Sequence, residues 1–146
     1  MGLFGTISAI RSGLSAQRIR MDVVAANVAN LETTRTPEGG PYRRRVVRFA
    51  SADQAPFADL VRRFTGSPER GVVLTQVTED TASPFRRVRA PEHPDADEEG
   101  YVELPNVDLV TEMTDLVSAN RSYQANATVL QAVKQMALAA LDIARR

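Results

Sequence analysis

The sequence begins with a long amphipathic pattern, and this pattern limits the possible folds of the chain more than any other feature. Steps of four and three residues from Leu3 to Leu31 meet apolar side chains at eight of nine positions. A stripe sustained over four heptads is typical of a helix that packs lengthwise against another helix. We therefore predict one helix of about 29 residues and about 43 Å. The stripe comprises Leu3, Ile7, Ile10, Leu14, Gln17, Met21, Val24, Val28 and Leu31.

A second helical pattern occupies the C-terminal part of the chain. We predict that this helix begins at Asn106, because Asp108 and Glu112 lie near its start, where acidic groups favour a helix N-terminus. After Leu130 the apolar positions spread to more than one side, which favours contact with several neighbours. The narrower stripe before that point comprises Leu109, Met113, Leu116, Asn120, Tyr123, Ala127 and Leu130.

The segment between the two helical patterns is rich in proline. Seven of the eight prolines lie from Pro37 to Pro94, and Pro105 is the eighth, so no long helix fits there. Short β-like runs suggest strands instead. The predicted fold is mainly α with a small β-rich insert, in which long N- and C-terminal helices pair as a coiled coil. The runs cover residues 42–49, 72–77, 85–88 and 101–104, and the predicted segments are 1–34, 35–105 and 106–146.

Composition excludes several classes of function. The chain has no cysteine, so it forms no disulfide and no thiolate site. Its longest wholly apolar run, Met136 to Leu141, is far shorter than the roughly 20 residues that cross a bilayer, so we expect no direct membrane insertion. The N-terminus lacks the pattern of a cleaved secretory signal, and export would therefore follow another route. We expect no cofactor.

An acidic loop before the C-terminal helix has part of the pattern of a calcium-binding EF-hand loop. Asp95, Asp97 and Glu99 occupy the first, third and fifth positions, and Gly100 the sixth. Asn106 occupies the twelfth position, where a bidentate Glu is needed, and the preceding prolines prevent the first helix of the motif. A solvated acidic turn is therefore the favoured interpretation. A small secreted calcium-binding or interaction module is the alternative function.

Two other polar features are candidates for functional sites. His93 is the only histidine, and without a nucleophile or a second ligand it does not indicate catalysis. Arginines at 43–45, 48, 86, 87 and 89 suggest a basic face. The absence of interleaved stacking aromatics and the net charge of zero argue against nucleic acid as a partner, and ion pairs between subunits are favoured instead.

Several stretches of the chain resemble the axial proteins of the bacterial flagellum. Ser12–Gln17 and Ala26–Thr36 match the signature shared by rod and hook subunits. Thr36–Arg45, His93–Val107 and Glu112–Asn126 are similar to the proximal rod proteins of the FlgC type. The resemblance implies a structural rod subunit, without enzymatic activity, that transmits torque and encloses the export channel. It implies copies of the chain, other rod subunits and the flagellar type III export apparatus as partners, in a rod that spans the periplasm.

The predicted site is therefore a subunit interface along the two helices. Gln17 and Asn120 are polar members of apolar stripes, and such residues either fix register or are merely tolerated. Asn27, Asn30 and Asn126 belong to the resemblance motifs, where their amides could bond neighbouring backbones or simply cap helices. The candidate interface residues are Ile7, Ile10, Leu14, Gln17, Met21, Val24, Asn27, Val28, Asn30, Leu109, Met113, Leu116, Asn120, Tyr123, Asn126 and Leu130.

Overall fold

The computed structural model describes residues 3–52 and 71–145. Two long helices enclose a small β-rich insert in the sequence, which confirms the predicted mixture of elements. In chain order, the elements are α1 (Leu3–Ala29), β1 (Arg45–Ser51), β2 (Val72–Glu79), β3 (Arg86–Arg89), β4 (Tyr101–Leu104) and α2 (Leu109–Ala144).

The two helices lie against each other and run antiparallel. The Asn27 side chain bonds Glu112, and a Cβ built on Gly13 would lie 3.1 Å from Asn126 Nδ2. Residues 13 and 27 are 14 positions apart, and so are 112 and 126, so one register holds between these two contacts. We call the end where α1 ends and α2 begins the head, and the opposite end the tail.

Extending this register to the tail places Leu3 opposite residue 136 of α2. The 36-residue α2 therefore continues about eight residues, or about 12 Å, past that position. Its side chains there are strongly exposed, with Leu141 at 66% and Ile143 at 77%. Neither helix is both long enough and apolar enough to cross a membrane, within the part of the chain that the structure describes.

The helix α2 begins later than the sequence indicated. Asp108 is its N-cap and accepts a hydrogen bond from the backbone N–H of Thr111. The side chain of Asn106 instead accepts a hydrogen bond from Arg44 N and donates one to the carbonyl of Asp80. The amide therefore connects the segment before β1 to the residue after β2, and it is not the cap of α2.

Four strands form two separate antiparallel ribbons. The strands β1 and β2 pair from Arg45 opposite Glu79 to Ser51 opposite Val72, with an irregularity at Arg48 and Phe49. The strands β3 and β4 pair from Arg86 opposite Leu104 to Arg89 opposite Tyr101. Each of the four predicted runs overlaps one strand. The first strand begins three residues later than expected, and in the residues before it Tyr42 and Arg44 contact Asn27 of α1 and Glu112 of α2.

The β1–β2 ribbon is attached to α1 by a close approach. The Ser12 hydroxyl accepts a hydrogen bond from Val72 N at 3.0 Å and donates to the carbonyl of Ala9. A Cβ on Gly71 would overlap Ser12 Oγ and lie 3.2 Å from Ser12 Cβ. A larger residue at position 71 would therefore displace the Ser12 side chain. Beyond it the ribbon is open, since seven of the eight residues of β2 are exposed.

Small side chains form much of the contact between the helices. Ala16 and Ala119 are 6% and 0% exposed, and Val24 and Val133 are also buried. Small residues allow the backbones to approach closely, and helix axes then lie toward the lower end of the usual 8–10 Å separation. The core is consequently elongated, as expected from a chain in which aromatic residues make up 5%.

Candidate subunit interface

A buried polar cluster at the head joins α1 to α2 and to the start of β1. Asn27 is 1% exposed, and each hydrogen-bonding position of its amide is occupied. Its Nδ2 donates to Arg45 O at 2.9 Å and to Glu112 Oε2 at 3.0 Å. Its Oδ1 accepts from Tyr42 Oη at 3.0 Å and from Arg45 N at 2.9 Å. The side chain is therefore fully satisfied, as burial of a polar group requires.

Glu112 is the charged member of this cluster and is completely buried. Its Oε1 accepts from Arg44 Nε at 2.6 Å, and a second guanidinium nitrogen of Arg44 lies 3.6 Å from Asp115 Oδ2. A buried carboxylate persists only when it is paired and hydrogen-bonded, and Arg44 and Asn27 supply both conditions. The cluster thus fixes the head end of α2 to α1 and to β1.

Tyr42 lies beside the same cluster. Burial raises the pKa of its phenol above the ordinary value, the nearby Arg45 guanidinium opposes this, and Glu112 and Glu79 add to it. The neutral phenol is the form that donates to Asn27 Oδ1. Its ring also lies 5.8 Å below the guanidinium carbon of Arg45. Tyr42 thereby holds the segment between α1 and β1 against α1.

The predicted interface residues on α1 lie at different depths. Val24 and Asn27 are buried. Asn30 lies just past the end of α1, and its side-chain amide donates a hydrogen bond to the carbonyl of Ala26. Gln17 Oε1 is buried without a hydrogen-bond partner among the described residues. The half-buried positions are Ile7, Ile10, Leu14, Gln17, Met21, Val28 and Asn30.

On α2 the predicted stripe only partly coincides with the face that meets α1. Leu116, Tyr123, Asn126 and Leu130 are half-buried. Leu109, Met113 and Asn120 are exposed and lie outside the contact with α1. Sequence reasoning missed Glu112 and Ala119 as inward positions. Together with Asn126 and Val133 they repeat every seven residues, a signal that a search for apolar residues alone does not detect.

The outer faces of the two helices differ in chemistry. The exposed residues of α1 from position 8 to 22 are polar or charged, and those of α2 include several large apolar side chains. The α1 positions are Ser8, Arg11, Ser15, Arg18 and Asp22. The exposed apolar positions of α2 are Leu109, Val110, Met113, Val117, Val129, Met136, Leu138, Leu141 and Ile143.

The acidic loop uses its carboxylates in hydrogen bonds within the chain. Asp97 accepts from the backbone N–H groups of Glu99 and Tyr101 and from the Arg87 guanidinium. The bond from the Tyr101 N–H is the main cause that lowers the pKa of Asp97. Asp95 instead accepts from the Thr34 hydroxyl. In the part of the chain that the structure describes, no group of three or more acidic or histidine side chains could hold a metal ion. The calcium-binding alternative therefore has no support.

Three arginines of the proposed basic face make contacts within the chain. Arg43 lies with its guanidinium carbon 4.3 Å from the Phe85 ring centre, and Arg44 is paired with Glu112. Arg87 contacts Asp97 at 2.8 Å and stacks over the Tyr101 ring at 5.0 Å. The pairs of Arg44 and Arg87 thus lie within one chain, and ion pairs between subunits stay a prediction.

Comparison with known proteins identifies relatives over nearly the whole chain. Residues 7–35 match the model of the flagella basal body rod protein family, and residues 98–143 match the flagellar basal body rod FlgEFG protein C-terminal family. The flagellar basal-body rod protein FlgC of Borreliella burgdorferi is 44% identical, over 98% of both chains. That of Bacillus subtilis is 44% identical over 99% of this chain and 100% of its own. That of Salmonella typhimurium is 41% identical over 98% of both chains.

Proposed function

The chain belongs to the FlgC family of flagellar basal-body rod proteins, and we propose that its paired helices form a coiled coil that lines the tube of the rod. The family assignment, carried by identities of 41–44% over nearly full length, makes the chain a structural subunit of the basal-body rod. The β-rich insert lies outside the helices in this proposal. We expect no catalytic activity, since the family consists of structural components.

The register between the helices supports a coiled coil. The contacts at residues 13 and 126 and at residues 27 and 112 are separated by two heptads on each helix. A contact that recurs after 14 residues follows a repeat of 3.5 residues per turn, and this repeat produces a left-handed supercoil. The crossing angle of such a pair is about 20°.

Burial between copies would supply the mechanical strength. The exposed apolar side chains of α2 have no cover among the residues that the structure describes. Each Å² of apolar surface removed from water contributes about 25 cal/mol. Contact with copies of the chain and with other rod subunits would bury them. A tube built this way transmits torque and encloses an export channel. The chain itself would reach the periplasm through the flagellar type III apparatus, without a cleaved signal peptide.

A strain that lacks the chain tests this function. It should not swim and should contain no complete rod in electron micrographs of isolated basal bodies, and the unaltered chain should restore both. Mass spectrometry of the rod-bound chain should find its N-terminus uncleaved. Normal rods in the strain without the chain would contradict the proposal.

Matched substitutions on α1 test the coiled coil. Leu14→Asp places a charge on the half-buried stripe and should abolish rod assembly, because an unpaired buried charge is costly. Arg11→Asp changes an exposed residue one turn away and should leave assembly intact. Equal swimming of the two strains would remove the argument for packing along this stripe.

A further inference from the structure

A cleft opens at the head, beside the segment that follows α1, and we call it the head cleft. Its volume is about 490 Å³, and the rings of Tyr42 and Phe85 contribute to its lining. Three guanidinium groups also line the cleft, and they outnumber its two carboxylates. The arginines are Arg35, Arg43 and Arg45, and the carboxylates are those of Glu38 and Glu79.

Two of these arginines are held by aromatic rings. The guanidinium carbon of Arg43 lies 4.3 Å from the Phe85 ring centre, and that of Arg45 lies 5.8 Å from the Tyr42 ring centre. Stacking on a ring orients a planar guanidinium and leaves the N–H groups at its edge available to other partners. Neither Arg43 nor Arg45 forms an ion pair with any residue that the structure describes. The head cleft therefore presents two oriented cations that no described carboxylate pairs with.

A turn separates the head cleft from the acidic loop of the same chain. Hydrogen bonds between residues 36, 39 and 40 close this turn. The residues that line the head cleft and also line a second cleft are Arg35, Gly40 and Pro41. Asp95 and Asp97 of the acidic loop line the second cleft, and no residue from 92 to 100 lines the head cleft. Within one chain, the acidic loop thus lies across the turn from the head cleft.

The tip of the acidic loop carries a carboxylate without a partner. The backbone N–H of Gly100 donates to the carbonyl of Asp97 at 2.9 Å, which closes a tight turn with Glu98 and Glu99 at its centre. Both glutamates are exposed. Glu99 lies 4.0 Å from Arg87, whereas the Glu98 side chain has neither an ion pair nor a hydrogen bond with any described residue. Glu98 is therefore the carboxylate that the tip presents to solvent.

We propose that the head cleft of one copy receives the loop tip of a neighbouring copy, with the Glu98 carboxylate between the guanidinium groups of Arg43 and Arg45. The inference rests on the function proposed above and specifies one contact between copies. Charge supports this occupant, because residues 92–103 include six acidic residues and neither lysine nor arginine. Arginine suits such a contact, since its planar fork binds a carboxylate through two hydrogen bonds.

The positions of the two surfaces fit copies that stand side by side in the rod. The head cleft and the loop tip both belong to the head, and the turn at residues 36–40 lies between them. Neighbouring copies that point the same way would bring the tip of one to the cleft of the next. The contact is heterologous, because different surfaces meet, and it can therefore repeat from copy to copy around the rod.

A small anion from solution is the competing occupant of the head cleft, because arginine also binds phosphate. Such an anion would not depend on Glu98 and would not bring two copies together. Changes at the loop tip therefore distinguish the two occupants.

Cysteine cross-linking in isolated basal bodies tests the contact directly. The chain has no cysteine of its own, so introduced thiols react without background. One version of the chain carries Glu38→Cys at the head cleft, and a second version carries Glu99→Cys at the loop tip, which leaves Glu98 in place. Both positions are exposed. When the two versions are produced in the same cells, mild oxidation should give a dimer that contains one of each, and either version alone should give none.

Arg11→Cys is the matched control for the thiol at the head cleft, because it is exposed and lies in the tail half of α1. Together with the Glu99→Cys version it should give no dimer. Absence of the expected dimer from basal bodies that contain both versions, or an equal yield from the control pair, would overturn the contact and leave the rod function intact. If the unaltered chain is absent from basal bodies, the proposed function itself fails.

Charge reversal provides a second measurement that needs no cysteine. Glu98→Arg places a cation at the loop tip and should reduce swimming, because it would face Arg43 and Arg45 of the neighbouring copy. Glu92→Arg makes the same change away from the tip and should leave swimming normal. Both positions are exposed, so circular dichroism of the purified chains should match that of the unaltered chain. Normal swimming of the Glu98→Arg strain without the cross-linked dimer is the result expected for a small anion, and it would contradict the proposed contact.

Discussion

The two ends of the helix pair are built from opposite chemistry. At the head, Asn27 and Glu112 are buried and every hydrogen-bonding position of the Asn27 amide is occupied within the chain. At the tail, Leu141 and Ile143 are mostly exposed. A polar cluster of fixed geometry tolerates one register, whereas apolar side chains can pack against many surfaces. The head therefore defines the fold of the single chain, whereas the tail presents apolar side chains that the described part of the chain leaves exposed.

Disruption of the ion pair at the head should have the largest effect on stability. Arg44→Met leaves the buried Glu112 carboxylate without its cation, and breaking such a pair costs roughly 3 kcal/mol where one partner keeps some solvent exposure. Urea denaturation of the purified chain measures the loss. Arg48→Met, on the exposed side of β1, should change stability by less than about 0.5 kcal/mol. Equal losses for the two variants would remove the special role of the head cluster.

A smaller effect is expected where the ribbon meets the tail half of α1. Gly71→Ala puts a methyl group against Ser12 Oγ and should destabilise the chain by about 1–3 kcal/mol, the usual range for overpacking. Gly5→Ala, which has no neighbour within 4 Å, should stabilise α1 by about 1 kcal/mol through helix propensity.

A double variant checks the cause of the Gly71→Ala effect. Ser12→Ala removes the hydroxyl that the new methyl group meets, so Gly71→Ala/Ser12→Ala should lose less stability than the two single changes added together. Additive losses would show that the ribbon is not held at Ser12. In that case the contact at Ser12 would not fix the position of the tail half of α1 as the buried polar cluster fixes the head.

The smallest effect concerns the two ends of α2 and depends on pH. Hydrogen bonds from the Thr111 hydroxyl and backbone N–H lower the pKa of the Asp108 carboxyl, and Arg86 contributes in the same direction. The cap therefore stabilises the chain above the ordinary Asp pKa of about 3.9, and this contribution is lost as the pH falls through the lowered value. Asp108→Ala should be less stable than the unaltered chain at pH 7 and nearly equal to it at pH 2.

Asp142→Ala, near the other end of α2, is the matched control. An acidic group there opposes the helix dipole, so its removal should not destabilise the chain at pH 7. Thermal denaturation at both pH values measures the two differences. A loss for Asp108→Ala that is the same at pH 2 would contradict the role of the ionised cap.

The sequence predicted the elements better than the faces that they present. The heptad stripe located α1 to within two residues of its end, and β4 has the predicted bounds. The inward face of α2 was identified only in part, since the polar Glu112 lies on it beside the apolar Ala119 and Val133. The Glu112 carboxylate can be buried because Arg44 and Asn27, which are distant in the sequence, donate hydrogen bonds to it. No local pattern contains that information.

The hydrogen bond between Asn27 and Glu112 also determines when the fold can be completed. Its partners are 85 residues apart in the sequence, and the other members of the cluster come from the segment between them. Contacts of such long sequence separation form slowly, because a large loop must close before they contribute. If the chain is exported in extended form by the route proposed above, neither helix can find its partner until most of the sequence has emerged. The subunit would thus complete its fold late, close to the site where it is incorporated.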